Sequence, residues 1–151
     1  MAADRVTQGK VVALAAWLDR AVDTPRAWGR HDCTLWPADW VVACGHDDPA
    51  ADWRGRYRTA LGAARLAGRA GGLQALWQGG ADTAGLSAVT TPRAGDVGLL
   101  PMATRGVGPR LSGLVGAICI GGGDWAVVTQ DGLWLGRASP VQAWRTAWRT
   151  R

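Results

Sequence analysis

At 151 residues with an ordinary apolar fraction, the chain reads as one domain, residues 1–151, long enough to bury a sizeable core. Three cysteines, an odd number, exclude a disulfide framework, and the net charge of +5 comes from sixteen Arg and one Lys against twelve Asp and no Glu. No apolar run approaches the roughly eighteen residues of a membrane span, and the Met-Ala-Ala-Asp-Arg start lacks the parts of a signal peptide.

From Gly9 to Thr24, Val11, Val12, Leu14, Ala15, Trp17, Leu18 and Ala21 follow the three-to-four period of an amphipathic helix. A loop over Trp28–Asp32 follows, then a helix from Cys33 or Thr34 to about Cys44, with Pro37 tolerable only near its first turn. Gly45-His-Asp-Asp-Pro49 reads as a stop, with Asp48 as a new cap and Pro49 at the first helical position. Helical pattern continues to about Ala70, Gly71-Gly72 breaks it, and Leu73–Gln78 is a last short helix.

The second half changes period. Val97–Leu100 is a short strand, residues 102–113 form a Gly-rich loop, and Leu114–Ile120 and Trp125–Thr129 are strands joined through Gly121-Gly-Gly-Asp124. Asp131-Gly132 signals a two-residue hairpin leading into Leu133–Leu135. Ser139-Pro140 reads as the cap of a short helix carrying Trp144. Helices followed by an antiparallel meander make an α+β domain.

Charge is unevenly placed. Residues 1–50 carry five basic and seven acidic side chains, whereas residues 51–80 carry five Arg and one Asp. On one continuous helix, Arg54, Arg58, Arg65 and Arg69 would fall within a stripe about 60° wide, suited to an acidic partner surface or a phosphate backbone. A solvated helix face is the preferred reading, and Gly55 and Gly62 weaken the helix there. Trp17, Trp36, Trp40 and Trp144 sit at apolar helical positions and are assigned to the core, so nucleic-acid stacking is not expected.

The chemistry centres on Cys33. A cysteine in the first turn of a helix sits where unpaired N–H groups and the dipole favour a thiolate. Its nearest imidazole is His31, two residues away, which in extended backbone would share its face at about 6–7 Å between Cα atoms. Asp32 or Asp39 could then orient the ring for a non-standard Cys–His pair. The preferred alternative is that His31 packs at the helix entry and holds the loop. His31, Asp32, Cys33 and His46, Asp47, Asp48 are ligand-rich, but adjacent residues rarely turn to one ion and no paired metal spacing occurs, so no metal is expected. No phosphate-cradling loop and no Gly-x-Ser-x-Gly elbow is present, so no cofactor is expected. Gly95-Asp96 reads as a turn tied by its carboxylate.

An Asp32-Cys33 heading a helix, a Gly95-Asp96 opening the first strand and a Gly-ended second strand, Val115 to Gly121, resemble in their order the NlpC-type branch of the papain-like cysteine peptidases. The chain is also similar to a small family of phage and prophage proteins of unknown function, generally encoded among tail genes. The residues carrying that likeness are Gly29-Arg-His-Asp-Cys33, Ala38-Asp-Trp40, Gly55-Arg-Tyr57, Gly71-Gly-Leu73, Arg93-Ala-Gly-Asp-Val97, Gly132-Leu133 and Ala147-Trp-Arg149. The resemblance implies a papain-like fold, a cysteine at the head of its helix and a histidine opening the second strand. That histidine is absent: its place falls at or next to Val115, and no histidine follows His46. Losing one member of a nucleophile–base unit costs roughly 10⁴ to 10⁶ in kcat. The expectation is therefore a tail-associated or tail-assembly protein without hydrolase activity, working with other phage tail proteins in a virion tail or the host cytoplasm. The rival expectation is an active cysteine amidase or peptidase on cell-wall peptide, with Cys33 as nucleophile, His31 as base and Asp32 as orienter.

Overall fold

A computed structural model describes residues 2–101 and 113–149. Four helices come first: α1 (Ala2–Ala21), α2 (Leu35–Ala43), α3 (Ala60–Arg69) and α4 (Leu73–Ala84). Five strands follow: β1 (Val97–Pro101), β2 (Leu114–Gly121), β3 (Asp124–Thr129), β4 (Gly132–Arg137) and β5 (Gln142–Trp144). They form one antiparallel sheet in the order β4-β3-β2-β1-β5. The α+β layout with helices leading is as the periodicity requires. The Gly-rich segment 102–113 falls almost wholly outside the described residues.

Alternation along the strands buries both sheet faces. Val97, Leu99, Ile118, Ala126, Val128 and Trp144 join the helices in the larger core, while Leu100, Val115, Ala117, Cys119, Trp125, Val127 and Ala143 form a second cluster. Trp36, Trp40, Trp53, Trp77, Trp125 and Trp144 are all buried, so tryptophan does the space-filling that phenylalanine does elsewhere. Trp77 stacks on Trp144 at 5.8 Å and lies edge-on to Trp53 at 6.2 Å. On the other side Trp40 meets Trp17 at 5.7 Å and Trp148 at 6.3 Å, and its indole N–H donates to the Gly95 carbonyl.

The structure departs from the sequence expectations in several places, starting with α1, which runs from Ala2 to Ala21 where the period marked Gly9 to Thr24. Ser139-Pro140 does not start a helix. Residues 142–144 are strand β5, with Val97 opposite Trp144 and Leu99 opposite Gln142, because the ladder to β1 and the burial of Trp144 outweigh a local cap signal. Asp48-Pro49 likewise opens no helix: Asp48 accepts from the Ala50 N–H at 2.9 Å in a tight turn, and regular helix resumes only at Ala60, capped by Thr59.

The last helix does not stop at Gln78 but runs to Ala84. Gly80 in its middle is a packing residue, since a Cβ there would collide with the Pro49 carbonyl and the Trp53 ring. Finally, the arginine stripe is broken. Arg54 precedes α3 and grips two carboxylates, Asp39 through Nη1 at 2.8 Å and Asp48 through Nε at 2.9 Å. Arg58 also lies outside the helix, leaving Arg65 and Arg69 alone on α3. Among the described residues, no helix is long and apolar enough to cross a membrane.

Asp96, fully buried before β1, ties the ends of the chain to the sheet. It accepts from the Arg93 N–H at 2.8 Å and the Thr146 N–H at 3.0 Å, with Lys10 of α1 at 4.0 Å and Arg145 at 3.2 Å. The turn reading of Gly95-Asp96 holds.

The Trp40 contacts join α1, α2 and the C-terminal segment, so Trp40→Ala is expected to cost about 3–5 kcal/mol of unfolding free energy. Urea denaturation measures it, and a loss below about 1 kcal/mol would show that these contacts are dispensable.

Candidate functional site

The chain enters α2 through a loop whose shape one carboxylate dictates. Ala27 and His31 exchange backbone hydrogen bonds at 2.8 Å each, closing a turn over Trp28-Gly29-Arg30. Asp32 then collects four donors: Gly29 N–H at 2.9 Å and the Tyr57 hydroxyl at 2.7 Å on Oδ2, Thr34 N–H at 3.0 Å and Leu35 N–H at 2.8 Å on Oδ1. Its backbone carbonyl accepts from Trp36 N–H at 3.0 Å. Asp32 is therefore the working cap of α2, although the helix proper begins at Leu35. Pro37 sits in the first turn, where its missing N–H leaves nothing unpaired.

Tyr57, the chain's single tyrosine, was not picked out from sequence as part of this centre. Its buried hydroxyl lies against the Asp32 carboxylate, and burial drives its pKa up. The available signal was chemical: a lone Tyr in a Trp-rich core needs an acceptor for its O–H. Gly29 is required beside it, with φ +83° and the Tyr57 carbonyl occupying the place of a side chain.

The structure places Cys33, His31 and Asp32 side by side in the chain but does not assemble them. Cys33 lies 6% exposed in the apolar cluster with Val115, Ala117 and Trp125. Its carbonyl packs so tightly over Gly116 of β2 that a Cβ has no room there. Burial pushes the thiol up to about 11, and the neighbouring Asp32 charge pushes the same way; the Gly116 N–H and the Thr34 hydroxyl oppose this only in part. The helix-terminus argument for a cheap thiolate fails here because the thiol is dry and a carboxylate holds the cap.

His31 points elsewhere. Its ring lies on the side of Thr24 and α1, and Nε2 has no hydrogen-bond partner among the described residues. It lines a cleft of about 200 Å³ with Trp17, Arg20, Ala21, Thr24, Trp36 and Asp39. The shared face assumed for residues 31 and 33 needs extended backbone, and the turn at Asp32 removes it. Asp32 makes no hydrogen bond to the ring, and Asp39 is committed to Arg54.

The second histidine is structural as well. His46 Nε2 meets the Ala147 carbonyl at 2.7 Å, and Arg149 N–H donates to Cys44 O at 2.9 Å, so the end of α2 holds the C-terminal segment. Cys44 and Cys119 are buried, and burial pushes the Cys44 thiol up to about 12. Among the described residues, no three His, Cys, Asp or Glu side chains converge where an ion could sit.

Residues 8–150 match the family described as a domain of unknown function, DUF6950, and the chain belongs to that family. No curated protein and no solved structure matches the chain.

Two measurements probe this geometry. Iodoacetamide is expected to label Cys33 no faster than Cys44 or Cys119 in the folded protein, and far slower than in urea. Selective, rapid labelling of Cys33 at neutral pH would contradict a buried, protonated thiol.

Burial also lowers both imidazoles below their ordinary 6.5. Below that pH the unfolded chain binds more protons than the folded one, so the stability from neutral histidine is complete above 6.5 and is lost as pH falls. The urea midpoint should drop between about pH 7 and pH 5.5, and the drop should shrink in a His31→Gln, His46→Gln double variant. An unchanged slope in that variant would assign it to other groups.

Proposed function

We propose that this protein is a tail-associated or tail-assembly component of a phage, prophage or phage-derived particle, built on a papain-like fold and acting without hydrolase chemistry. The observation that carries the second half is the state of Cys33. A cysteine hydrolase needs a thiolate, an imidazole within hydrogen-bond reach and space for an acyl group. Cys33 is buried with a raised pKa in an apolar cluster that includes Val115 and Trp125, and the nearest histidine in sequence lines a cleft with Trp17 and Thr24 instead. The order of parts supports the papain-like reading: Asp32-Cys33 ahead of α2, Gly95-Asp96 ahead of β1, then β2 with Val115 where the base would stand.

The tail assignment leans on the motif resemblance spanning residues 28–149. Several of those residues have architectural duties, with Asp32 capping α2, Tyr57 bonding Asp32, and Asp96 tying the chain ends. A set of residues that sustains a fold fits a protein whose product is an assembly rather than a reaction.

In a phage or prophage encoding this chain, Cys33→Ala should leave particle yield unchanged while deletion of the protein abolishes complete tails. Normal tails without the protein would sink the assembly reading. Loss of infectivity with Cys33→Ala, despite normal folding, would instead favour the amidase alternative with Cys33 as nucleophile.

A further inference from the structure

We propose that the outer edge of the sheet beyond β5 is a docking site for an extended, acidic segment of a partner protein. The site rests on geometry alone and is independent of the tail reading. Segment 87–89 runs along β5: Val89 N–H donates to Ala143 O at 2.9 Å and Arg145 N–H donates to Ser87 O at 2.8 Å, with Ala88 opposite Trp144 between them. In an antiparallel ladder the residue between two such bonds turns its own N–H and C=O the other way. Ala88 is exposed, and among the described residues neither of its backbone groups has a partner. An edge of that kind is a template for a further strand.

The opposite edge is less available. On β4, Leu133 N–H already donates to Val22 O at 3.1 Å, and Gly132 packs against the same carbonyl.

The chemistry beside Ala88 selects charge. A groove of about 370 Å³ is lined by Ala88, Val89, Thr90, Thr91, Arg93 and Arg145. Arg145 is held in place from behind: Nη2 donates to Thr91 O at 3.2 Å, and Nε lies 3.2 Å from Asp96 Oδ2, off the line of a hydrogen bond. Asp96 also faces Lys10 at 4.0 Å, so one carboxylate is shared between two cations. Arg93 adds a third positive charge, exposed and with no ion pair among the described residues. Backbone groups facing outward demand an extended guest, and the surplus of cations demands carboxylates on it. The chain's overall charge of +5 acts in the same direction at longer range.

The test is fluorescence anisotropy at low salt with a labelled peptide alternating Asp and Val, alongside amide chemical shifts of the full-length protein. Binding is expected, with the Ala88 amide among the resonances that move. Arg93→Asp should weaken it by about tenfold or more, whereas Arg69→Asp on α3 should leave it within about twofold. A peptide N-methylated at every amide, which has no N–H left on either edge, should lose binding. The proposal is overturned by no binding at millimolar peptide, by equal losses in the two arginine variants, or by undiminished binding of the N-methylated peptide. The first outcome denies the site, the second leaves only general charge attraction, and the third excludes strand addition.

Discussion

A carboxylate taken wholly out of water must be given hydrogen-bond donors or opposite charges, and two such carboxylates organise this protein. Asp32 and Asp96 are both 0% exposed. Removing an ionised group from water without partners costs several kcal/mol, so each position holds only if the surrounding chain supplies donors. Asp32 is supplied from its own loop, from the first turn of α2 and from Tyr57, twenty-five residues on. Asp96 is supplied from Arg93, Thr146, Lys10 and Arg145, which brings α1, the entry to β1 and the C-terminal segment to one point. In a chain without glutamate, the short reach of aspartate makes these arrangements strict: the donors must come to the carboxylate.

That constraint also fixes the surroundings of the cysteine. An Asp immediately before a helix-heading Cys could orient a base or cap a helix, and four donors on Asp32 commit it to the cap. The cap needs a turn at residues 32–34, and the turn sends Cys33 toward β2 while His31 faces α1. The same carboxylate charge sits beside the thiol and opposes its ionisation, adding to burial. At Asp32 the four donors serve the architecture of the helix entry.

How much of this could be read from the residues follows from the range of each interaction. The β1 to β4 strands, the Gly121–Gly123 turn and the Asp96 turn back to the Arg93 N–H were legible because they depend on neighbours a few residues apart; the ties of Asp96 to Lys10, Arg145 and Thr146 were not. The Gln130-Asp131 turn, with Gly132 at φ +114°, falls one residue ahead of the Asp-Gly pair that signalled it. β5 was illegible because its worth lies in a ladder to Val97 and Leu99 and in Trp144 stacking on Trp77, all distant in sequence. The extension of α4 past Gln78 was illegible, and only the approach of Pro49 shows why a glycine stands at position 80. The arginine stripe assumed one helix across Gly55, whose φ of +81° belongs to a turn. The site was half legible: Cys33 at a helix entry was seen, but whether its neighbour faced it depended on a turn that Tyr57 helps to hold.

Cys33 needs no catalytic duty to account for its place. Its carbonyl lies against Gly116, with the Pro37 ring at the same point, so β2 and the entry to α2 touch through backbone atoms. A side chain here must fit into the apolar cluster that includes Val115, Ala117 and Trp125, and free cysteine behaves as a small, readily buried apolar group. A larger residue would part the helix from the strand, and a charged one would add an unpaired charge beside Asp32. The geometry that shuts the thiol away from water is the same contact that docks α2 on the sheet, so opening a catalytic groove at Cys33 would require loosening that joint. The exposed backbone at Ala88 and the cations of the adjoining groove lie instead at the margin of the sheet, where a partner can be met without disturbing the core.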